Sequence, residues 1–317
     1  MRKKVLFTFG FKKEDKKFIE SLGYEIYEEN ERNLYFKDYM EEVEVLVCYN
    51  PFATLDIRKM KKLKWIQLSS IGVDQLAGFK SYIEENNIVV SNNKGGYSIA
   101  IGEWIVLNIL EIYKKRKEVY KNQENMKWKL IYNMPEIYGK TIGFIGTGTL
   151  AVEAAKRLQG FGATIVGLNT NGTNREYFNY CYQNNDIEKM IPICDVVVVT
   201  IPYTKETYKF IDERKLSLMK KDSILINVAR GEVIDEDALY KYLKEKKIKA
   251  AALDVFYKEP LPVDNELWKL DNVIITAHNS WLTKETFDRR WDFYKSNLIR
   301  YINEEKVENI VDFNKGY

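Results

Sequence analysis

The sequence predicts an α/β protein with two doubly wound parallel sheets, and three observations support this fold class. A chain of 317 residues exceeds what one hydrophobic core usually supports, so two domains are expected. Short apolar runs alternate with longer amphipathic segments in two separate series, which is typical of parallel strands joined by crossover helices. The second series also opens with a glycine-rich turn between a strand and a helix.

The two series give the predicted domain boundaries. The first contains five strand-like runs, VLFTF, YEIYEE, VEVLVCY, LKWIQLSS and NIVVSN, within residues 1–98. A long helix is predicted from Ile99 to Tyr120, and six strand-like runs follow: TIGFIG, ATIVGL, DVVVVT, SILINV, KAAALDV and NVIITA. We therefore expect one domain over residues 99–283, and a C-terminal helix over residues 284–317 that returns to the first domain.

The charge and cysteine content argue against several classes of function. Lys and Arg number 49 against 46 Asp and Glu, and their mixed distribution predicts neither a nucleic-acid nor a membrane partner. The apolar stretch near the N-terminus is too short for a signal peptide or a membrane span, so we expect a cytoplasmic protein. Cys48, Cys181 and Cys194 are too widely spaced for a disulfide framework or a metal site, and no metal is predicted.

The glycine-rich turn lies in the stretch TIGFIGTGTLA and has the pattern GxGxxA. Gly146 permits a tight turn, Gly148 lets the backbone approach a pyrophosphate, and Ala151 lets helix and strand pack closely. The helix beginning at Thr149 and Leu150 would direct its free N–H groups at the phosphates. Such a turn can serve only to join a strand to a helix. Here the strand, turn, helix and next strand occur in order, which favours dinucleotide binding.

His278, the only histidine, follows the apolar run Val273–Ile275. This places it at the carboxyl end of a parallel strand, where ligands bind in open α/β sheets. An imidazole there is suited to donating a proton to a ketone oxygen near neutral pH. The alternative reading is a strand-end histidine that is hydrogen-bonded to the backbone.

Arg230 and Glu259 follow two other strand-like runs. A guanidinium at a strand end is suited to binding a carboxylate through two hydrogen bonds, and a carboxylate could orient His278 and favour its protonated form. Each residue alone could be an ordinary surface charge. Together the three form a coherent acid, orienting group and anion-binding group.

Six stretches in order resemble the family of D-isomer-specific 2-hydroxyacid dehydrogenases. They are SSIGVD (69–74), NKGGYSIAIGEW (93–104), GFIGTGTLA (143–151), INVARGEVIDEDAL (226–239), AALDVFYKEPLP (251–262) and NVIITAHNS (272–280). The last three are highly specific, and the set spans most of the chain. The resemblance implies an oxidoreductase that transfers a hydride between NAD(P)H and a small 2-oxo acid such as glyoxylate, hydroxypyruvate or pyruvate, giving the D-2-hydroxy acid.

The resemblance also implies which residues form the site. Arg230, Glu259 and His278 correspond to the catalytic trio, and the substrate carboxylate is expected at the backbone amides of Ser70, Ile71 and Gly72. Asp254 is expected at the nicotinamide carboxamide. The expected cofactor-binding residues are Gly146, Gly148, Thr149, Leu150, Asn169, Thr170, Ile201, Pro202, Ala229, Arg230, Asp254 and His278.

The family fold implies a Rossmann dinucleotide-binding domain and a flavodoxin-like substrate domain with a cleft between them, and a homodimer formed through the nucleotide domain. Two alternative functions remain: a dinucleotide-sensing, corepressor-like regulator and a phosphoglycerate dehydrogenase. A formate dehydrogenase relative is disfavoured because that branch has glutamine where Glu259 stands. The loop Cys48–Ile57 contains no Lys or Arg, which ranks unphosphorylated acids first unless another segment supplies the charge.

The cofactor prediction depends on Asn169, at the end of the second strand after the glycine turn. NAD-preferring enzymes place Asp or Glu there to accept hydrogen bonds from the adenosine ribose. An amide can bond to a ribose hydroxyl without repelling a 2′-phosphate, and Arg175 is near enough in sequence to reach one. We therefore expect NAD or NADP to bind, with NADP modestly favoured. We also expect Asn169→Asp to shift the cofactor preference toward NADH by about tenfold or more.

Overall fold

A computed structural model describes residues 2–313, and the chain divides into two compact units. Unit 1 comprises Met1–Gly96 and Thr283–Tyr317, and unit 2 comprises Tyr97–Leu282. Among the described residues, no helix has the length and apolar character needed to cross a membrane.

Unit 1 is built around a five-stranded parallel sheet. Numbered along the whole chain, its elements are β1 (Lys3–Phe7), α1 (Lys13–Ser21), β2 (Tyr24–Glu28), β3 (Val45–Cys48), β4 (Trp65–Leu68), α2 (Lys80–Glu85), β5 (Val89–Ser91) and α9 (Lys284–Ile302). The strand order β2-β1-β3-β4-β5 is that of flavodoxin-like folds. All five strands of the first series are confirmed. The central strands are buried on both faces, which explains why they are continuous apolar runs.

Helix α9 joins unit 1 through buried polar contacts as well as apolar packing. The Tyr294 hydroxyl donates to Ser69 Oγ at 2.7 Å, and Asn297 Nδ2 donates to Gln67 Oε1 at 2.9 Å. Leu298 packs in the same apolar cluster as residues of β1 and β3. Because these groups are buried and hydrogen-bonded, they fix the orientation of the helix on the sheet.

Unit 2 is built around a seven-stranded parallel sheet. Its elements are α3 (Ser98–Tyr113), α4 (Arg116–Glu124), β6 (Thr141–Ile145), α5 (Thr149–Gln159), β7 (Thr164–Asn169), β8 (Tyr180–Gln183), α6 (Ile187–Met190), β9 (Val196–Val199), α7 (Glu213–Ser217), β10 (Ile224–Asn227), α8 (Glu236–Lys244), β11 (Ala250–Leu253) and β12 (Val273–Ile275). The strand order is β12-β11-β10-β9-β6-β7-β8, so the direction of winding reverses between β9 and β6. Ligands bind at such a switch point in doubly wound sheets.

The structure corrects the sequence analysis at two elements of unit 2. Strand β8 was missed because it is a short edge strand with only Cys181 buried, so it has no apolar run. The helix expected over Ile99–Tyr120 is two helices, since Lys115 adopts a left-handed conformation with φ of 47°. The break lies within a run of four cations, and it lets the ammonium groups of Lys114 and Lys115 donate to backbone carbonyls at Pro135 and Tyr132.

Candidate functional site

The expected cofactor residues all lie in unit 2, at or just beyond the carboxyl ends of its strands. Six strands contribute: β6, β7, β9, β10, β11 and β12. Because the sheet is parallel, these ends lie along one edge. The sheet thereby gathers residues that are up to 132 positions apart, from Gly146 to His278.

The turn after β6 has the geometry that a dinucleotide requires. Gly146 has φ of +96°, and an added Cβ would lie 2.9 Å from the side-chain oxygen of Thr200 and 3.0 Å from the side chain of Ile201, which lies just before Pro202. A Cβ on Gly148 would meet nothing within 4 Å, so the backbone there faces open space. Ala151 is fully buried on α5, which begins at Thr149 and Leu150. These observations fit a dinucleotide with its pyrophosphate at the N-terminus of this helix.

Asn169 is the last residue of β7, and its side chain forms hydrogen bonds to other residues of the chain. Its Nδ2 donates to Thr147 Oγ1 at 3.1 Å and to the Thr173 carbonyl at 2.8 Å. Its Oδ1 accepts from the Thr173 N–H at 3.1 Å. Thr170 follows as an exposed residue of the same loop. The expected ribose ligand therefore connects the glycine turn to the loop after β7.

The turn after β10 is shaped by Asn227, which the sequence analysis did not single out. Its Oδ1 accepts from the Ala229 N–H at 3.0 Å, and its Nδ2 donates to the Arg230 carbonyl at 3.0 Å. Asn227 is 1 % exposed. Arg230 Nη1 donates to the Ala229 carbonyl at 2.8 Å, so the guanidinium lies back over its own turn. An asparagine just before a turn is the sequence signal that could have identified Asn227.

Glu259 and His278 are in direct contact. His278 Nδ1 lies 2.8 Å from Glu259 Oε2, and Glu259 Oε1 accepts from the Phe256 N–H at 3.0 Å. Burial raises the pKa of Glu259, but the hydrogen bonds from His278 and Phe256 and the charge of Arg230 outweigh burial and hold this pKa below its ordinary value. The carboxylate is therefore ionised at neutral pH, and it directs Nε2 of His278 away from itself.

The segment that contains His278 is held by the buried carboxylate of Asp254. Asp254 Oδ1 accepts from the Thr276 hydroxyl at 2.5 Å and from the Asn279 N–H at 2.9 Å, and Oδ2 accepts from the Ser280 N–H at 3.1 Å. The Asp254 carbonyl accepts from the His278 N–H at 2.8 Å. Asp254 thus fixes the backbone on both sides of the imidazole.

Trp281 completes this segment, and no sequence signal pointed to it. Its indole Nε1 donates to the His278 carbonyl at 2.9 Å, and its ring packs edge-on against Tyr97 at 5.3 Å between centroids. His278 has φ of +50°, a backbone conformation that is uncommon for residues other than glycine. The hydrogen bond from Trp281 helps to hold that conformation.

Ser70, Ile71 and Gly72 lie in unit 1, just after β4. The Ser70 carbonyl accepts from the Asn93 N–H at 2.9 Å, and the Ile71 carbonyl accepts from Asn92 Nδ2 at 2.8 Å. The N–H and C=O of a trans peptide point in opposite directions. The N–H groups of Ile71 and Gly72 therefore point away from these asparagines, as an anion-binding loop requires.

In unit 2 the structure brings together Arg230, Glu259 and His278. They provide a cation, a carboxylate and an imidazole, respectively. This set can bind an anion and transfer a proton beside a dinucleotide site. Among residues 2–313, no three His, Cys, Asp or Glu side chains cluster in a way that would hold a metal ion.

The sequence is similar to known proteins over most of its length. Residues 106–280 match the family described as D-isomer specific 2-hydroxyacid dehydrogenase, NAD binding domain. A glyoxylate reductase of Thermofilum pendens is 35 % identical over 263 residues, which cover 79 % of this chain and 75 % of that protein. A D-3-phosphoglycerate dehydrogenase of Methanocaldococcus jannaschii is 33 % identical over 258 residues, covering 81 % of this chain but only 49 % of the longer relative.

The fold is also similar to that of solved structures. A D-isomer specific 2-hydroxyacid dehydrogenase family protein from Aeromonas salmonicida superposes with a TM-score of 0.84 and 25 % identity, covering 99 % of this chain and all of that one. Both parallel sheets are thus part of an architecture shared with that protein.

Proposed function

Since the chain belongs to the D-isomer-specific 2-hydroxyacid dehydrogenase family and is an NAD(P)-dependent enzyme of that family, we propose that Arg230, Glu259 and His278 catalyse the reduction of a small 2-oxo acid by NAD(P)H to its D-2-hydroxy acid. The observation that carries this assignment is the 2.8 Å contact between His278 Nδ1 and Glu259 Oε2. It leaves Nε2 of His278 to face a substrate. It also fixes the orientation of the imidazole, because Nδ1 is in contact with an ionised carboxylate.

The chemistry of the step follows from these residues. When bound at the glycine turn after β6, a reduced nicotinamide cofactor would supply the hydride that the carbonyl carbon of the 2-oxo acid accepts. His278 delivers the proton from Nε2 to the carbonyl oxygen, so the C=O becomes CH–OH and the histidine is left neutral. One oxygen of the Glu259 carboxylate keeps the imidazole ring in position. The other oxygen accepts from the Phe256 N–H, which in turn holds the carboxylate. A positioned general acid contributes roughly 100- to 10,000-fold to the rate.

In unit 2, Arg230 is proposed to bind the substrate carboxylate. In unit 1, the backbone amides of Ile71 and Gly72 are proposed as an anion-binding group. A guanidinium binds a carboxylate through two parallel hydrogen bonds, which fixes orientation as well as position. The carbonyls bonded to Asn92 and Asn93 support this role for the amides, since they direct the N–H groups the opposite way. Ser70 holds the same loop, because its hydroxyl donates to the Gly72 carbonyl at 2.8 Å.

Steady-state kinetics of two variants test these roles. We expect His278→Gln to lower kcat by about 100-fold or more, because it removes the acid, and Arg230→Ala to raise KM for the 2-oxo acid sharply. Arg214→Ala is the matched control, since Arg214 is an exposed arginine of unit 2 paired with Glu188. Near-normal turnover in both site variants would show that the roles are misassigned.

The substrate is proposed to be an unphosphorylated 2-oxo acid: glyoxylate, hydroxypyruvate, pyruvate or a larger apolar acid. In unit 1, Tyr49 of the loop after β3 borders a cavity of about 470 Å³ whose walls include Phe9, Trp291 and Tyr294. Aromatic walls favour an apolar side chain. The loop itself has no cation, but the guanidinium of Arg290 lies 4.8 Å from the centre of the Tyr49 ring, so helix α9 does supply a charge there.

Because Arg290 supplies a positive charge there, a phosphorylated 2-oxo acid remains the alternative substrate. An activity screen distinguishes unphosphorylated from phosphorylated acids. We expect pyruvate, glyoxylate, hydroxypyruvate and phenylpyruvate to include the best substrate. A strong preference for phosphohydroxypyruvate would contradict the ranking.

Two further parts of the assignment are proposals of the same kind. NADPH is proposed to be modestly preferred over NADH, because the strand end after the glycine turn has an amide and not a carboxylate that would repel a 2′-phosphate. A cytoplasmic location is proposed because Cys48, Cys181 and Cys194 are all free thiols, as is usual in a reducing compartment.

A homodimer is proposed because unit 2 exposes a run of large apolar side chains after α4. They are Met126, Trp128, Leu130, Tyr132 and Tyr138, and Trp128 is fully exposed. Apolar patches of this kind usually mark a protein interface.

A further inference from the structure

The amide of Asn169 uses both its donor and its acceptor on the backbone of a single residue, Thr173. Nδ2 donates to the Thr173 carbonyl, and Oδ1 accepts from the Thr173 N–H. This pair of bonds closes the turn of residues 169–173, in which Gly172 has φ of +68°. An aspartate could accept from the N–H, but it would also direct an oxygen lone pair at the Thr173 carbonyl. The amide of asparagine therefore suits this turn better than a carboxylate does.

The same amide reaches the glycine turn through Thr147. Nδ2 of Asn169 donates to Thr147 Oγ1 at 3.1 Å, and Thr147 is only 5 % exposed. Gly167 makes this approach possible, because a Cβ at that position would lie 2.4 Å from the Thr147 methyl group. The turn after β6 and the loop after β7 are thus tied together by one side chain.

We infer that Asn169 and Thr147 form a latch that sets the position of loop 170–175 against the glycine turn, and that this latch determines the selectivity between NADPH and NADH. The inference rests on the proposed dinucleotide site. Asn169 is then a positioning residue and not itself the ribose ligand. The groups that would meet a 2′-phosphate are the hydroxyl of Thr170, the amide of Asn171 and the guanidinium of Arg175 on the positioned loop.

The latch and a direct ribose contact predict different behaviour for Asn169→Asp. A direct contact predicts NADH binding about tenfold tighter or more, because a carboxylate accepts from the ribose hydroxyls. The latch predicts no such gain, because the new oxygen faces the Thr173 carbonyl and the loop is released. Both predict weaker NADPH binding, so the affinity for NADH is the discriminating quantity.

Thr147 offers a matched pair of variants. Thr147→Val keeps the shape of the side chain and removes the hydroxyl that accepts from Asn169, whereas Thr147→Ser keeps the hydroxyl. We expect Thr147→Val to weaken NADPH binding by about tenfold and NADH binding by about threefold or less, the size expected for losing one or two hydrogen bonds. Thr147→Ser should bind both within about twofold of the wild type.

The experiment measures dissociation constants by calorimetry on the full chain, for NADPH, NADH and adenosine 2′,5′-bisphosphate, with thermal unfolding as the folding check. Weaker binding of the bisphosphate by Thr147→Val, with recovery in Thr147→Ser, supports the latch. Tenfold tighter NADH binding by Asn169→Asp, or wild-type selectivity in Thr147→Val, overturns it. A wild-type chain that binds none of the three probes would overturn the proposed dinucleotide site itself, whatever the variants do.

Discussion

Among single residues of the site, His278 has a backbone conformation that its neighbours must hold in place. A left-handed conformation in a residue other than glycine costs free energy, typically about 1–3 kcal/mol, and persists only where neighbours enforce it. Here Asp254 and Trp281 enforce it, through hydrogen bonds to the segment on both sides of the ring and to the His278 carbonyl. The direction of the imidazole is therefore set before any substrate arrives.

A variant of Asp254 tests how strongly its buried carboxylate holds the segment that contains His278. Asp254→Asn replaces one accepting oxygen with an N–H₂ group that faces donors, so we expect a loss of about 1–3 kcal/mol in the free energy of unfolding and a lower kcat. Asp264→Asn, at an exposed position of the same unit, is the control and should stay within about 0.5 kcal/mol of the wild type. Equal stability of the two variants would show that Asp254 does not hold the segment.

Glu259 gives a prediction about pH. Its pKa is lowered in the folded protein, so its ionised form stabilises the fold at pH values above the ordinary value of 4.5. That stabilisation is lost as the pH falls through the lowered pKa. The difference in unfolding free energy between the wild type and Glu259→Gln should therefore be fully present well above pH 4.5 and should shrink as the pH falls below that value. Denaturant titrations at several pH values measure it, and a constant difference would contradict the assigned pKa direction.

The trio could be proposed from sequence because each residue follows a strand and the surrounding motifs are specific. Asn227 could also have been identified, because an asparagine just before a turn commonly bonds to the backbone two or three residues on. Trp281 could not, because its ring packs on Tyr97, which is distant in sequence, and no sequence pattern marks that contact. The expected ribose contact of Asn169 shows the same limit. Its position at the strand end was evident, but its three hydrogen-bond partners depend on the path of the loop, which the sequence does not state.

At the scale of elements, the ends of β10 and β11 approach each other closely at Gly231. A Cβ at this position would lie 1.9 Å from the backbone carbon of Phe256 and 2.2 Å from the nitrogen of Tyr257. The turn that contains Arg230 therefore packs directly on the segment that leads to Glu259. Only glycine permits this contact.

Gly231→Ala tests this packing. The added methyl group would overlap the Phe256–Tyr257 peptide group, so we expect a loss of at least about 1–3 kcal/mol in stability and a large loss of activity. Gly78→Ala is the control, since a Cβ there meets nothing within 4 Å. The measurement is the unfolding temperature of each variant. Similar temperatures would show that the backbone around Gly231 can accommodate a methyl group.

Sequence patterns predicted the buried strands of both sheets because such strands form continuous apolar runs. The same criterion failed for β8, an edge strand in which only Cys181 is buried. Apolar spacing also predicted α3 and α4 as one helix. The spacing of apolar residues does not reveal that Lys115 has a positive φ and interrupts the helix. Both errors lie where local backbone geometry is set by contacts distant in sequence.

At the scale of the whole molecule, the proposed dimer is open to direct measurement. Light scattering during gel filtration should give twice the mass of the chain, and Trp128→Glu should shift it toward the monomer by placing a charge in the proposed interface. Trp268→Glu is the control, since Trp268 is also exposed but lies outside this apolar run. A wild-type monomer, or an unaffected Trp128→Glu variant, would contradict the proposal.

We propose that the chain catalyses hydride transfer to the carbonyl carbon of a 2-oxo acid with defined stereochemistry. The most direct measurement supplies 2-oxo acids with reduced nicotinamide cofactors deuterated at C4, then analyses the product by chiral chromatography and mass spectrometry. We expect a D-2-hydroxy acid that has gained one deuterium at C2, and no such product from His278→Gln on the same timescale. An L-product, a product without deuterium at C2, or no turnover of any 2-oxo acid with either cofactor would contradict it.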